Sequence, residues 1–330
     1  MAFSSHIGTE IVGIVNVAPA TVEDNLELEL LSPDERSALV NHTGIRYRRV
    51  ADKQTDIHQL FKRSIEELSS QLNWDLASVD VLVVVTQSPQ MLIPSISNRL
   101  QGDLNFGPQT IAFDINSGCS GFVYGLNTVY SMLASVIGGS KKAILCCGDL
   151  STHLIDENDK SVKPIFSDGV SAIAIEKKEN DLEISSYFNL ETFGSGQKAI
   201  EMLPGETMKL NGIDVFGYSI KHVPQNISRL LEIAEKTIDF PDAFVLHQAN
   251  LLINDSIRKK LGVEAAKFHY SLTEYGNTAS ASIPFTLGLN YKKIERKSGW
   301  ILLSGFGVGF SVASALVRFN PKVCSEVYDF

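Results

Sequence analysis

The run VDVLVVVT at 79–86 constrains the fold more than any other stretch of this sequence. It is nearly all apolar and β-branched, without polar alternation. A strand with one wet face alternates, whereas a strand covered on both faces reads as a continuous apolar run. KAILCC at 142–147 repeats the pattern. Between such runs the periodicity changes. Within Asp56–Leu72 the apolar residues Ile57, Leu60, Phe61, Ile65, Leu68 and Leu72 recur at helical spacing.

Further strands are expected at Ile11–Val17, Thr110–Ile115, Ala172–Glu176, Leu182–Phe188, Ala243–Leu246, Trp300–Ser304 and Phe310–Val317. Helices are expected at about 119–137, at Val215–Lys236 with a perturbation at Pro224, at Asn250–Leu261 and at Ser282–Tyr291. Strands alternating with helices predict an α/β architecture with mostly parallel sheets. A length of 330 residues suits two domains or one two-lobed unit. The polar, irregular stretch 177–210 separates an N-terminal half, 1–177, from a C-terminal half, 178–330.

With 44% hydrophobic and 20% charged residues the chain can bury a large core, which excludes a disordered or disulfide-stapled chain. A net charge of −9 makes it a poor non-specific partner for nucleic acid or an anionic membrane. Glu10 precedes the first apolar run and no basic segment leads it, so that run reads as a strand and not as a signal peptide. The stretch 301–317 is short for a membrane span and broken by Ser and Gly. A soluble cytoplasmic protein is predicted. Cysteine occurs at 119, 146, 147 and 324 without a C-x-x-C pair, which suggests a reducing compartment. Cys146 and Cys147 read as inert buried thiols on a strand.

Four segments carry chemistry. In TIAFDINSGCSGFVYGL (110–126) a strand ends, small residues turn, and Cys119 opens an apolar helix, where dipole and free N–H groups favour thiolate. In AFVLHQAN (243–250) a buried strand delivers His247 at its C-terminal end, where open α/β sheets place ligands. In EYGNTASASIPFTL (274–287) Asn277 follows a glycine and precedes a helix with Pro284 in its first turn. In LSGFGVGFSVASAL (303–316) three glycines offer tight backbone and free N–H groups. Each alone admits a plainer reading: a small core residue at a tight joint, a structural histidine, a capped loop, a glycine turn. GSGQKA (194–199) lies in a polar loop without a clear preceding strand, GGSKK (138–142) lacks Walker A spacing, and no His–Cys spacing suits zinc. Asp168 reads as a turn and sheet-joint residue.

Together these segments resemble the β-ketoacyl-acyl carrier protein synthase III family of the thiolase superfamily. The likeness includes HTGIRYRRVA (42–51), DINSGCSGF, IFSDGVSA (165–172), LNGIDVFGYSI (210–220), HQAN, YGNTASAS, GFGVGF and ALVRF (315–319). It implies a five-layered thiolase-like α/β fold of two pseudo-repeated halves, working as a homodimer. It implies a catalytic triad of Cys119, His247 and Asn277, with an oxyanion hole from the backbone N–H groups of Cys119 and Val308. Ile93 would gate the acyl pocket of a partner subunit, and Phe166, Phe216, Ala249, Asn250 and Phe306 would line the pocket. The implied reaction is a decarboxylating Claisen condensation of an acyl thioester with a malonyl thioester through an acyl-Cys intermediate. No metal or redox cofactor is implied; acyl-CoA or acyl-carrier protein and the malonyl thioester are substrates.

Four positions depart from the family pattern. Ala38 and His42 stand where short-chain acyl-CoA users carry Trp and Arg, Lys160 replaces an Arg, and Leu252 replaces a docking Arg. Arg258, Lys259 and Lys260 remain as a docking cluster for an acidic carrier protein; a solvated helix end is the plainer reading of them. The rival reading keeps the fold but makes the enzyme an acyltransferase or thioesterase of a specialised pathway. A papain-type hydrolase lacks its local signature, and an inert scaffold sits poorly with an intact triad.

Overall fold

In a computed structural model, residues 2–135, 141–178, 181, 183–295 and 297–330 are described. The strands are β1 (Ala2–Ile7), β2 (Thr9–Ala18), β3 (Val22–Asp24), β4 (Tyr47–Arg49), β5 (Val81–Val85), β6 (Ile111–Ile115), β7 (Lys142–Asp149), β8 (Gly169–Lys177), β9 (Ile184–Thr192), β10 (Ile200–Glu201), β11 (Lys209–Leu210), β12 (Ala243–Leu246), β13 (Trp300–Gly307) and β14 (Ser311–Asp329). The helices are α1 (Pro33–Thr43), α2 (Ile57–Leu72), α3 (Ile96–Asp103), α4 (Gly121–Ser135), α5 (Gly212–Ile233), α6 (Leu251–Leu261), α7 (Leu272–Tyr275) and α8 (Ser282–Asn290).

The continuous apolar run becomes β5, and its side chains divide by parity, as the pleat requires. Val81, Val83 and Val85 enter one core; Leu82 and Val84 enter another. β12 divides likewise, with Ala243 and Val245 in the shared core and Phe244 and Leu246 in a third. Five layers result. Helices α2 and α3 cover one sheet (β6, β5, β7, β8, β2), α4 and α8 fill the middle, and α5 and α6 cover a second sheet (β1, β9, β14, β13, β12). β14 belongs to both sheets: 311–317 pair with β9 and β13, and 319–329 run parallel to β2.

The sheets are mixed, which corrects the mostly parallel expectation. β5 is parallel to β6 and β7, β12 to β13, and β14 to β2. β1–β9, β9–β14, β13–β14, β2–β8 and β7–β8 are antiparallel. Parallel neighbours need long crossovers, whereas the three residues 308–310 between β13 and β14 permit only a hairpin.

Boundaries shift for local reasons. Asp56 and Asn250 are N-caps: Asp56 accepts from His58 N at 2.9 Å and Asn250 from Ile253 N at 2.8 Å. α4 begins at Gly121, so Cys119 and Ser120 form the turn before it. α5 runs on through the buried Pro224. GSGQKA does follow a strand, β9, but it forms a short 3-10 helix over Gly194–Ala199. Residues 136–137 of the expected helix, 138–140 of GGSKK and Leu182 lie outside the described residues. Sequence reasoning missed β1 and the tail of β14. No helix among the described residues is long and apolar enough to cross a membrane.

Candidate active site

β6 ends at Ile115 and a turn carries Cys119 into α4. Glycines let backbone close on that turn from outside. A Cβ at Gly305 would stand 2.7 Å from Ser120 Cα and 2.9 Å from the Cys119 carbonyl. At Gly307, whose φ is 152°, a Cβ would lie 3.0 Å from Cys119 Cβ and 3.3 Å from its Sγ. At Gly118 it would strike Gln87 Oε1. Cys119 is buried, and burial pushes its thiol up to about 12, with the negative charge of Asp149 adding to the effect. The helix-end preference for thiolate is thus outweighed by desolvation.

His247 leaves the end of β12. Its N–H donates to the Ser304 carbonyl at 2.8 Å, and Asn254 Nδ2 donates to its carbonyl at 3.0 Å. The ring stands edge-on to Phe306, and Nδ1 lies 2.8 Å from Ser282 Oγ. Burial lowers the imidazole to about 3 against a hydrogen bond to the Ala279 backbone, so the ring is neutral near pH 7. Gln248 is structural: Nε2 donates to Leu246 O at 2.7 Å and Oε1 accepts from Ser271 N at 3.0 Å.

Asn277 bridges to Phe166 as a lone parallel pair, its N–H donating to Ile165 O and its carbonyl accepting from Ser167 N, each at 3.0 Å. Its Oδ1 accepts from Ala279 N at 2.9 Å, which identifies the oxygen and leaves Nδ2 as the donor for the cavity. The Phe166 loop is held from behind by buried Arg48, which donates to Phe166 O at 3.1 Å and to Asn25 Oδ1 at 3.1 Å and pairs with Glu23. Asp168 accepts from Ala51 N at 2.7 Å and Thr152 N at 2.9 Å, the joint role expected of it.

Cys119, His247 and Asn277 all line one cavity of about 150 Å³. Phe166, Ala249, Asn250 and Phe306 line it too. Phe216 does not: it is half-buried in the C-terminal core, and Val215 takes the wall position. Adjacent helical residues point about 100° apart, so a one-residue offset changes the face. Val308 follows Gly307, with its side chain against Gly118. Ile93 is 87% exposed and outside this cavity. Arg258 and Lys259 both pair with Asp255 at 2.7 Å, and Lys260 donates to Ile220 O at 3.0 Å. Lys160 pairs with Glu35 at 3.3 Å. Ile165, Ile200, Leu210 and Ile253 complete the apolar wall; Ile165 and Leu210 open the segments IFSDGVSA and LNGIDVFGYSI, whereas no motif marks Ile200 or Ile253. Ser282 could have been flagged only by its place in the small-residue stretch after Asn277. Cys146 and Cys147 are buried, and burial pushes both thiols up. Among the described residues no group of three or more His, Cys, Asp or Glu could hold a metal ion.

Two family models match the chain: 3-Oxoacyl-[acyl-carrier-protein (ACP)] synthase III over residues 113–192 and its C-terminal counterpart over 231–319. The chain is 34% identical over 325 residues to the β-ketoacyl-[acyl-carrier-protein] synthase III of Lactobacillus helveticus, covering 94% of this chain and 98% of that protein. It is 30% identical over 317 residues to the namesake protein of Acholeplasma laidlawii, covering 95% and 99%. A crystal structure of 3-oxoacyl-(acyl-carrier protein) synthase from Burkholderia xenovorans superposes with a TM-score of 0.93 at 28% identity, over 100% of this chain and 99% of that one. With a thiolase-like fold and relatives matched over almost their whole length, the chain belongs to the β-ketoacyl-acyl carrier protein synthase III family of the thiolase superfamily.

Proposed function

We propose that this enzyme is a 3-oxoacyl-acyl carrier protein synthase III-type acyltransferase that condenses an acyl thioester with a malonyl thioester, in fatty acid biosynthesis. The observation that carries the reading is the convergence of Cys119, His247 and Asn277 on one small, mainly apolar cavity. Cys119 attacks the acyl thioester and forms acyl-Cys, and the thiol proton leaves with the departing carrier thiol. Backbone N–H groups of Cys119 and Val308 receive the oxyanion.

The malonyl thioester then enters. Asn277 Nδ2 and His247 Nε2–H donate to its thioester carbonyl while carbon dioxide leaves, and Ser282 donating to Nδ1 would keep the proton on Nε2. The enolate attacks acyl-Cys, expels the Cys119 thiolate and yields a β-ketoacyl thioester. No metal or redox step is required by this chemistry.

The enzyme works in the cytoplasm as a homodimer, in which exposed Leu92 and Ile93 reach the partner's acyl pocket. Their 87% exposure in a single chain supports this reading. An acyl carrier protein docks beside α6, with Lys259 and Lys260 as its first contacts.

Intact-protein mass tests the chemistry. The protein is mixed with a panel of acyl-CoA and acyl-carrier-protein thioesters, with Cys119→Ala as control, and malonyl-carrier protein follows. The expected result is an adduct absent from Cys119→Ala and discharged as a β-ketoacyl product. An adduct discharged only by water or another acceptor would overturn condensation in favour of hydrolysis or acyl transfer. Sedimentation velocity tests the dimer, which a monomeric species at assay concentration would refute.

A further inference from the structure

Two buried serines beside the nucleophile have no part in the proposed chemistry. Ser120 follows Cys119 in the turn before α4, and Ser311 opens β14. Ser311 Oγ donates to the Val308 carbonyl at 2.8 Å, and Ser120 Oγ lies 2.7 Å from Ser311 Oγ. A carbonyl only accepts, so the single hydroxyl proton of Ser311 goes to Val308, and Ser120 supplies the proton between the two hydroxyls. The relay therefore runs one way, from Ser120 to Ser311 to Val308, and joins segments 191 residues apart in the sequence. Filling the core does not require it, since replacing both members of a buried hydroxyl pair by apolar groups is close to neutral.

The relay holds the three-residue turn 308–310 between β13 and β14. Gly307 pairs with Ser311 across the hairpin. Val308 is thus anchored on its N-terminal side by the ladder and on its C-terminal side by the Ser311 hydroxyl. Gly307 and Gly309 flank it at φ of 152° and 121°, where no side chain restrains the backbone. Among the described residues, neither the Cys119 N–H nor the Val308 N–H has an acceptor on another residue. These are the two groups to which the proposed chemistry gives the oxyanion.

We propose that Ser120 and Ser311 are positioning residues whose hydroxyls tie the β13–β14 turn to the nucleophile turn and so fix the Val308 N–H relative to the Cys119 N–H before substrate arrives. The inference deepens the proposed function and rests on Cys119 as nucleophile and on those two N–H groups as its oxyanion donors. The sulfur itself is set by the close approach of Gly305 and Gly307. Loss of the relay should therefore loosen the donors and leave the thiol in place.

Two reactions of Cys119 separate donors from thiol. In acylation by p-nitrophenyl acetate, a C–S bond forms as the carbonyl electron pair moves onto oxygen; the tetrahedral oxyanion then expels p-nitrophenolate. In alkylation by iodoacetamide, a C–S bond forms as iodide leaves, and no oxyanion arises. The thiol proton passes to solvent in both. Each rate is followed by intact mass on the whole protein, wild type and variants. Ser311→Ala should slow acylation roughly ten- to a hundredfold, part of what a whole oxyanion donor is worth, and leave alkylation within about twofold. Ser120→Ala keeps the bond from Ser311 to Val308 and should slow acylation less, and it carries the same comparison if Ser311→Ala does not fold. Ser311→Thr retains the hydroxyl and should recover most of the lost rate. A purely packing role would slow both reactions alike. Equal slowing of the two reactions, wild-type acylation by both alanine variants, or a threonine variant as slow as alanine overturns the proposal. A wild type that is alkylated but takes no acyl group from this ester or from any acyl-CoA overturns the nucleophile reading itself, and the proposal with it.

Discussion

The two halves of the active site are held in place by different physics. On the nucleophile side, position comes from contact. Gly305 and Gly307 bring β13 against the Cys119 turn, and what fixes the sulfur is the absence of side chains. On the other side, position comes from polar bonds. His247 is fixed by Ser282, Ser304 and Asn254, and Asn277 by Ala279, Ile165 and Ser167. The difference follows from function. A nucleophile needs space for an incoming acyl group, and close packing leaves that space defined. Hydrogen-bond donors need orientation, and only directional partners supply it.

This contrast can be broken from either side. The largest effect should come from His247→Ala. Condensation should fall by ~10²–10³, while the acyl adduct on Cys119 still forms, as mass spectrometry would report. Equal loss of adduct and condensation would mean the two sides are not separable. Gly305→Ala should destabilise the fold by about 3 kcal/mol through overpacking, read as a lower urea midpoint, because the clash is with backbone. Ser282→Ala should lower stability by about 1–3 kcal/mol, because His247 Nδ1 and the Gln248 N–H lose a buried partner, and slow decarboxylation roughly tenfold, with acylation intact. A wild-type rate there would show that packing, not the hydroxyl, orients the imidazole.

The smallest effect is a pH dependence. Burial lowers His247 to about 3 in the folded protein, so below its ordinary value of 6.5 the unfolded chain binds the proton first. Its contribution to stability is full above pH 6.5 and is lost as pH falls toward 3, by about 1 kcal/mol between pH 7 and 5.5. The wild type should lose more stability than His247→Asn over that interval. Asp149, raised to about 6, acts in the opposite direction there in both proteins, so the difference between them isolates the imidazole.

Much of this was legible in the sequence, and the rest was hidden for identifiable reasons. β5 announces itself because both its faces are dry. The strand ends that deliver Cys119 and His247 carry small and polar residues against apolar runs. By contrast, the tail of β14 contains Pro321, Lys322, Ser325 and Glu326, and its pairing with β2 breaks register twice. Proline cannot donate to a ladder, so such a stretch reads as a loop. The cavity wall was hidden differently. Ile200, Leu210 and Ile253 are ordinary apolar residues whose neighbours tertiary packing decides. Ser282 and Ser311 act through partners far away in the chain, which no local pattern reports.

The shared strand β14 sets an order of events during synthesis. β2, at residues 9–18, is made early, but its parallel neighbour, residues 319–329, follows some 300 residues later. At about 5–20 residues per second that interval is roughly 15–60 s. Throughout it, one side of an apolar strand has its N–H and C=O groups unpaired, the kind of edge that recruits other chains. The nascent enzyme therefore depends on shielding, by chaperones or by its own collapse, until its two sheets are joined.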